Sequence, residues 1–284
     1  MFARGVNLTQ DSDRKKVMSH SIQVKPGTQL KLSDCDPGDT SLSSGKEEAK
    51  VEIERDIQRL AELQEVLYAE DKRSLLIILQ AMDAGGKDGT VEHVFRGVNP
   101  QGCEVTSFKV PSVEESDHDF LWRIHKAVPR KGHIGIFNRS QYEDVLVVRV
   151  HNLVPEQVWK ERYDRINRFE RLLTEMGTVI LKFFLHISKD EQKRRFEERL
   201  ANPRKNWKFS EVDLRERELW EEYQWAYEDA LTKCSTDWAP WYVIPSNHKW
   251  YRNWLVARTI VQTLDSLGLK FPAPKSDLSR IQIK

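Results

Sequence analysis

SLLIILQAMDAGGKDGT, residues 74–90, decides how the rest of the chain is read. Its first ten residues form a nearly unbroken apolar run, the pattern of a strand covered on both faces. A glycine-rich turn follows, then the helical pattern VEHVFRGV (91–98). Strand, glycine turn and helix in that order are the setting that a phosphate-binding loop requires. Gly85, Gly86 and Gly89 let backbone N–H groups close around phosphate oxygens, and the helix N-terminus adds its dipole. Lys87 adds a mobile positive charge. The match to G-x-x-x-x-G-K-[ST] is imperfect: Ala81 replaces the first glycine, and Asp88 stands where a hydroxyl would ligate Mg²⁺. The plainer alternative is a tight turn with an exposed lysine. Asp83 lies inside the loop, and an acid among phosphates is repelled unless a cation sits between them. That makes Asp83 a candidate Mg²⁺ ligand; otherwise it accepts N–H bonds of the turn.

Outward from the loop, strand and helix patterns alternate. GCEVTSFKV (102–110), HIGIFNRS (133–140), TVILKFFLHI (178–187) and WYVIPS (241–246) read as strands. Between them, 46–71, 113–128, 143–150, 155–176, 189–200, 213–233 and 248–267 read as helices, the stretch 213–233 as one long helix. Five strands alternating with helices predict an α/β fold: a mainly parallel sheet flanked by helices, with ligands at the strands' carboxyl ends. The polar stretch SDCDPGDTSLSSG (33–45) marks residues 1–45 as peripheral, with one phosphate-loop domain over 46–284.

Two further segments carry charge in a useful place. In IFNRSQYED (136–144), Asn138 and Arg139 end a strand, where a second metal-directed group and a phosphate-clamping arginine belong. Asn138 could bind a metal only through a neutral oxygen or through water; a helix-capping role for Asn138 or Ser140 is the alternative. Tyr142, Glu143 and Asp144 are then the nearest candidates to line the nucleotide end. The second segment runs Lys193-Arg194-Arg195, Arg199, Arg204, Lys205, Lys208. Its cations, broken at Asn202-Pro203, resemble the helical lid of nucleotide kinases, placed here at about 189–215. Arg195, Arg199, Lys205 and Lys208 are its candidate contacts; neighbouring acids make a salt-bridged solvent face the alternative.

Composition limits the rest. The 284 residues carry 45 basic and 44 acidic side chains, so only local charge bears on polyanion partners. There is no membrane-length apolar run and no apolar leader, and Cys35, Cys103 and Cys234 are scattered. These features predict a cytoplasmic protein with neither disulfide nor zinc framework, and with no membrane or nucleic-acid partner. Most of the nine tryptophans fall in helical patterns and are read as packing residues.

Taken together, the motifs resemble the type 2 polyphosphate kinases. The resemblance rests on QAMDAGGKDGT, VTSFKVPSVEESDHDFLWR, IGIFNRSQYEDVLVVRVH, KDEQKRRFEERLANPRKNWKFSEVDL and TDWAPWYVIPSNHKWYRN, in that order over about residues 46–270. It implies a thymidylate-kinase-like phosphate-loop fold with a helical lid, and reversible, Mg²⁺-dependent phosphoryl transfer between polyphosphate and nucleotides, with Mn²⁺ as an alternative ion. By motif, Asp83 and Lys87 match the family's phosphate loop, Asn138 and Arg139 its Asp/Asn-Arg pair, and Arg199 its lid arginine. Asn138 followed by RSQYEDVLVVRVH resembles the subgroup that phosphorylates AMP as well as ADP. Lys109, Arg123, Lys126 and Arg130 are cations for the polyphosphate path, and a homo-oligomer, dimer or tetramer, is expected. Two other readings share some of these features: an ATP-dependent nucleoside monophosphate kinase, and a non-catalytic nucleotide- or polyanion-binding protein.

Overall fold

The computed structural model describes residues 22–274, Ser276 and Ile283. Five strands form one sheet: β1 (Ser74–Gln80), β2 (Cys103–Ser107), β3 (Ile134–Asn138), β4 (Thr178–His186) and β5 (Trp241–Pro245). Their order is β2-β3-β1-β4-β5, and every pairing is parallel. The chain leaves β1 for one edge and later returns past it toward the other. The order therefore reverses beside β1, where such sheets open a crevice.

Among the described residues, eight helices longer than a single turn flank the sheet: α1 (Lys46–Glu70), α2 (Lys87–Val94), α3 (Trp122–Ala127), α4 (Glu156–Glu175), α5 (Lys189–Ala201), α6 (Glu211–Glu218), α7 (Trp220–Cys234) and α8 (Lys249–Ser266). Alternation along the strands divides the core. Leu76, Ile78, Phe137, Ile180 and Phe184 pack with Ile166 and Phe169 of α4 and Ala226 and Tyr227 of α7. Leu75, Ile77, Leu79, Ile136, Phe183 and Leu185 face Leu60, Leu63 and Leu67 of α1 and Trp254, Leu255 and Ile260 of α8. Each such side chain, fully buried, contributes about 1.5–3 kcal/mol. That two-sided burial is why β1 and β4 read as continuous apolar runs. One exception is Lys182 of β4, fully buried, whose Nζ donates to Glu170 (2.5 Å), to the Tyr142 hydroxyl (2.8 Å) and to the Cys234 carbonyl (2.6 Å).

Three expectations need correction. The single helix predicted over 213–233 is two, meeting at a non-helical Leu219; α6 buries no side chain, while α7 packs on the sheet. The helix predicted over 113–128 is a helical turn at Val113–Ser116 and then α3, separated where the Asp119 carboxylate caps the Leu121 N–H at 2.9 Å. Residues 22–45 are integral rather than peripheral. Val24 and Leu32 enter the core, Val24 N donates to Trp241 O at 2.8 Å, and Gln23 bridges Tyr242 antiparallel. The remainder of the predicted peripheral segment, 1–21, lies outside the described residues. Among the described residues, no helix is long and apolar enough to cross a membrane.

Candidate active site

β1 and β3 run in register with Leu79 opposite Asn138, so the loop after β1 and the turn after β3 emerge side by side. The loop is shaped by its backbone. Gly85 N donates to Met82 O at 2.9 Å, closing a turn. Ala84 (φ +59°) and Gly86 (φ +103°) take the left-handed conformation. A Cβ on Gly85 would lie 2.4 Å from the Ala81 Cβ and 2.8 Å from Met82 O, so only glycine fits there. α2 starts at Lys87, and the first N–H to bond back is Thr90 N to Gly86 O (3.0 Å). The amides of the first turn are thus left without helical acceptors, as an anion site requires.

Lys87 Nζ donates to Ala81 O at 3.0 Å. Burial, then the nearby Arg139 guanidinium, lower its pKa, while Asp83, Glu143 and Asp88 oppose the shift. Arg139 follows β3 with φ +64°, a conformation that costs a non-glycine residue about 1–2 kcal/mol. Its N–H is tied to Leu79 O (3.1 Å), and its guanidinium reaches Asp83 (3.1 Å) and Glu143 (3.8 Å). Burial works against the charged form of Arg139, but Glu143 and Asp83 outweigh it and raise the pKa. Glu143 is held above the usual carboxylate range by burial, against the pull of Arg139 and Lys87. Asn138 Nδ2 donates to Asp88 Oδ1 at 2.7 Å.

The lid helices close one side. α5 is capped by Ser188, which accepts from Glu191 N. Its buried Gln192 donates to Asp83 O at 3.0 Å, binding lid to loop. Arg199 faces Asp213 of α6 (3.5 Å), whose pKa is raised by burial and then by the charge of Asp83. Lys208 reaches Asp88 at 3.8 Å, while Lys205 is exposed.

Asp83, Lys87, Asn138, Arg139, Gly85, Gly86 and Gly89 therefore share one locus, with Arg199 and Lys208 approaching from the lid. Five other expected residues do not face it. Tyr142 is completely buried, held by Glu170 and Lys182, so it cannot line a nucleotide. Asp144 is buried against Arg162 (2.9 Å). Of that trio only Glu143 looks into the site. Arg195 is buried beneath the loop, donating to Ala84 O (2.8 Å) and Gly85 O (3.0 Å). It braces the loop from behind rather than reaching across it. Arg123 is buried too, donating to Lys109 O at 2.8 Å. It supports exposed Lys109 beside an open groove that Lys126 also lines. Arg130 lies before β3, at the amino ends of the strands, and bonds His133 there; it is off the site.

Sequence reading missed Gln192, Asp213 and Arg252. The last is the clearest loss. The polar pair Arg252-Asn253, interrupting the aromatic and apolar run Trp250–Ala257 of α8, was the available signal.

The resemblance implies Mg²⁺. Asp83 Oδ1 is taken by Arg139, no hydrogen bond to Oδ2 is found among the described residues, and Asn138 keeps its amide oxygen as a neutral donor. Among the described residues, no three His, Cys, Asp or Glu side chains are grouped to hold a metal. Such a sparse set fits an ion that arrives on phosphate oxygens and retains water, as Mg²⁺ does.

A 2-3-1-4-5 parallel sheet with a phosphate loop on its central strand and a basic helical lid defines a phosphotransferase of the phosphate-loop kinase class. The chain belongs to the polyphosphate kinase 2 family, whose model matches residues 43–271. It is 55% identical to an AMP/ADP-polyphosphate phosphotransferase of Meiothermus ruber, over 92% of this chain and 98% of that one. It is 42% identical to an ADP-polyphosphate phosphotransferase of Rhodopseudomonas palustris, over 90% and 93% respectively. Its fold matches the crystal structure of polyphosphate kinase 2 from Arthrobacter aurescens TC1 with a TM-score of 0.89 at 46% identity, covering 92% of this chain and 94% of that one.

Proposed function

We propose that the chain transfers the terminal phosphoryl group of inorganic polyphosphate to AMP and to ADP, reversibly and with Mg²⁺. The observation that carries this reading is the meeting of Lys87, Arg139 and Asp83 at the level ends of β1 and β3, under the lid. Such an arrangement suits phosphoryl transfer, in which positioning and charge do most of the work and no strong base is needed.

In this reading a terminal phosphate oxygen of the nucleotide attacks the end phosphorus of polyphosphate. A P–O bond to the nucleotide forms as the anhydride bond breaks, and the shortened polyphosphate leaves with the bridging oxygen. Loop amides and Lys87 hold the transferring phosphates, Arg139 gives up Asp83 and Glu143 to clamp them, and Arg199 gives up Asp213 as the lid closes. Closure excludes water that would otherwise accept the phosphoryl group. Asp83 and Asn138 would hold Mg²⁺, which neutralises phosphate charge when bound. Glu143 is the remaining candidate at the nucleotide end, and Lys109 and Lys126 are the remaining cations for the polyphosphate path. A cytoplasmic homo-oligomer without membrane or nucleic-acid partners belongs to the same reading.

Purified protein, free of adenylate kinase, tests it with AMP or ADP, polyphosphate and Mg²⁺. ADP should appear from AMP and ATP from ADP. Equal turnover with polyphosphate omitted and ATP as sole donor would favour a nucleoside monophosphate kinase; binding without turnover would favour a non-catalytic protein.

A further inference from the structure

Two guanidinium groups lie buried behind the phosphate loop, and they are compensated differently. Arg195 has the Glu191 carboxylate at 2.6 Å and the carbonyls of Ala84 and Gly85. Arg252, 3% exposed, has no carboxylate partner among the described residues. Its Nε and Nη2 share one neutral acceptor, Asn253 Oδ1 (3.0 and 2.8 Å), and Nη1 has only a long contact to Gly85 O (3.4 Å). The contrast within α8 is direct, because Arg258 is paired with both Asp56 and Glu52.

Buried arginines are ordinarily paired, since an isolated charge loses its hydration without recompense. Arg252 instead lies against a backbone stripped of side chains. A Cβ on Gly86 would come within 1.8 Å of its Nη1, and one on Gly89 within 3.5 Å of its Nη2. The cation is thus separated from the anion face of the loop by little more than the glycine backbone. The Gly85 carbonyl turns back toward both arginines, and the amides at the start of α2 are left for a ligand.

We propose that Arg252 is a positioning residue of the phosphate site, its unpaired guanidinium serving as a standing counter-charge to the anion on the other face of the loop. The empty protein carries an uncompensated buried cation, and bound phosphate completes the pair across the glycines. Burial and then the like charge of Arg195 lower its pKa to about 9, which leaves it charged at neutral pH. The inference rests on the phosphate-loop reading above.

The test is calorimetric titration of the full chain with inorganic tripolyphosphate, together with ligand-free melting curves. Arg252→Met keeps bulk and removes charge; Arg252→Lys keeps charge. The Met variant should bind about tenfold or more weakly, yet melt no lower than wild type, because it removes an unfavourable buried charge. The Lys variant should bind within about threefold of wild type. A Met variant that binds like wild type, or one that melts well below it, makes Arg252 a packing residue and overturns the proposal. So does a Lys variant as weak as the Met variant, because loop shape would then matter rather than charge. Lys87→Ala separates the two levels. If it weakens tripolyphosphate while Arg252→Met does not, only this inference fails. If wild type does not bind, or Lys87→Ala changes nothing, the phosphate-loop reading fails and takes this one with it.

Discussion

Asn138 donates its amide N–H to the carboxylate of Asp88, 2.7 Å away, joining the end of β3 to the first turn of α2. Asp88 occupies the place of the usual hydroxyl, and a carboxylate there needs a donor opposite it. An Asp at 138 would bring two carboxylates into contact. Asn138→Asp should therefore disturb the loop edge, lowering kcat/KM for AMP relative to ADP by about tenfold, some 1.4 kcal/mol. Exchanging the partners, Asn138→Asp with Asp88→Asn, should return the ratio toward wild type. Steady-state rates with each acceptor at saturating polyphosphate decide it; a double variant no better than the single one removes the pair from the argument.

Among the described residues, Lys87 finds no side-chain acceptor, only the Ala81 carbonyl. It is therefore free to transfer its N–H bonds to a phosphate whose charge shifts during reaction. Lys87→Ala should lower kcat by a factor on the order of 10² or more. Unchanged turnover would reduce Lys87 to a structural donor.

Gly86 combines φ +103° with a guanidinium against its α-carbon. Gly86→Ala should lose activity and destabilise the chain by about 1–3 kcal/mol, through left-handed strain and displacement of Arg252. Urea unfolding measures the second quantity, and a midpoint equal to wild type would contradict the packing described.

His186 ends β4 beneath residues 32–36, with Nε2 3.1 Å from the Cys35 carbonyl. Burial lowers its pKa to about 4, against weaker opposing effects from that carbonyl, Leu32 O and Asp36. The unfolded chain therefore takes up a proton here before the folded one does. The associated stability, on the order of 3 kcal/mol, is present above pH 6.5 and is lost as pH falls through 4. His186→Gln keeps an N–H donor and should flatten the decline between pH 6.5 and 5. Parallel curves for the two proteins would show that His186 does not titrate as described.

The sheet and the loop were legible because both leave one-dimensional marks: apolar runs for strands buried on two faces, glycines where backbone must approach a ligand. The orientation of side chains just past a strand end leaves no such mark. Tyr142 and Glu143 are neighbours, yet one is anchored in the core by Lys182 and the other faces Arg139. What separates them is the tight turn Gln141–Asp144, read from sequence as the start of a helix at 143. Arg195 and Arg199, four apart, were both expected to be lid contacts, but α5 lies so close to the loop that Arg195 is swallowed while Arg199 reaches α6. Arg252 was overlooked because its meaning depends on a loop 166 positions earlier in the chain.

The antiparallel bridge between Gln23 and Tyr242 makes the two margins of the sheet unequal. Beside β5, backbone groups that a parallel sheet leaves over are partly taken up by residues 23–24 of the same chain. Beside β2, no described strand does this, and Glu104, Val105 and Ser107 are exposed. Any foreign strand, whether a tag, a peptide or a misfolded neighbour, therefore finds its template on the β2 side, where the Glu104 charge is the deterrent.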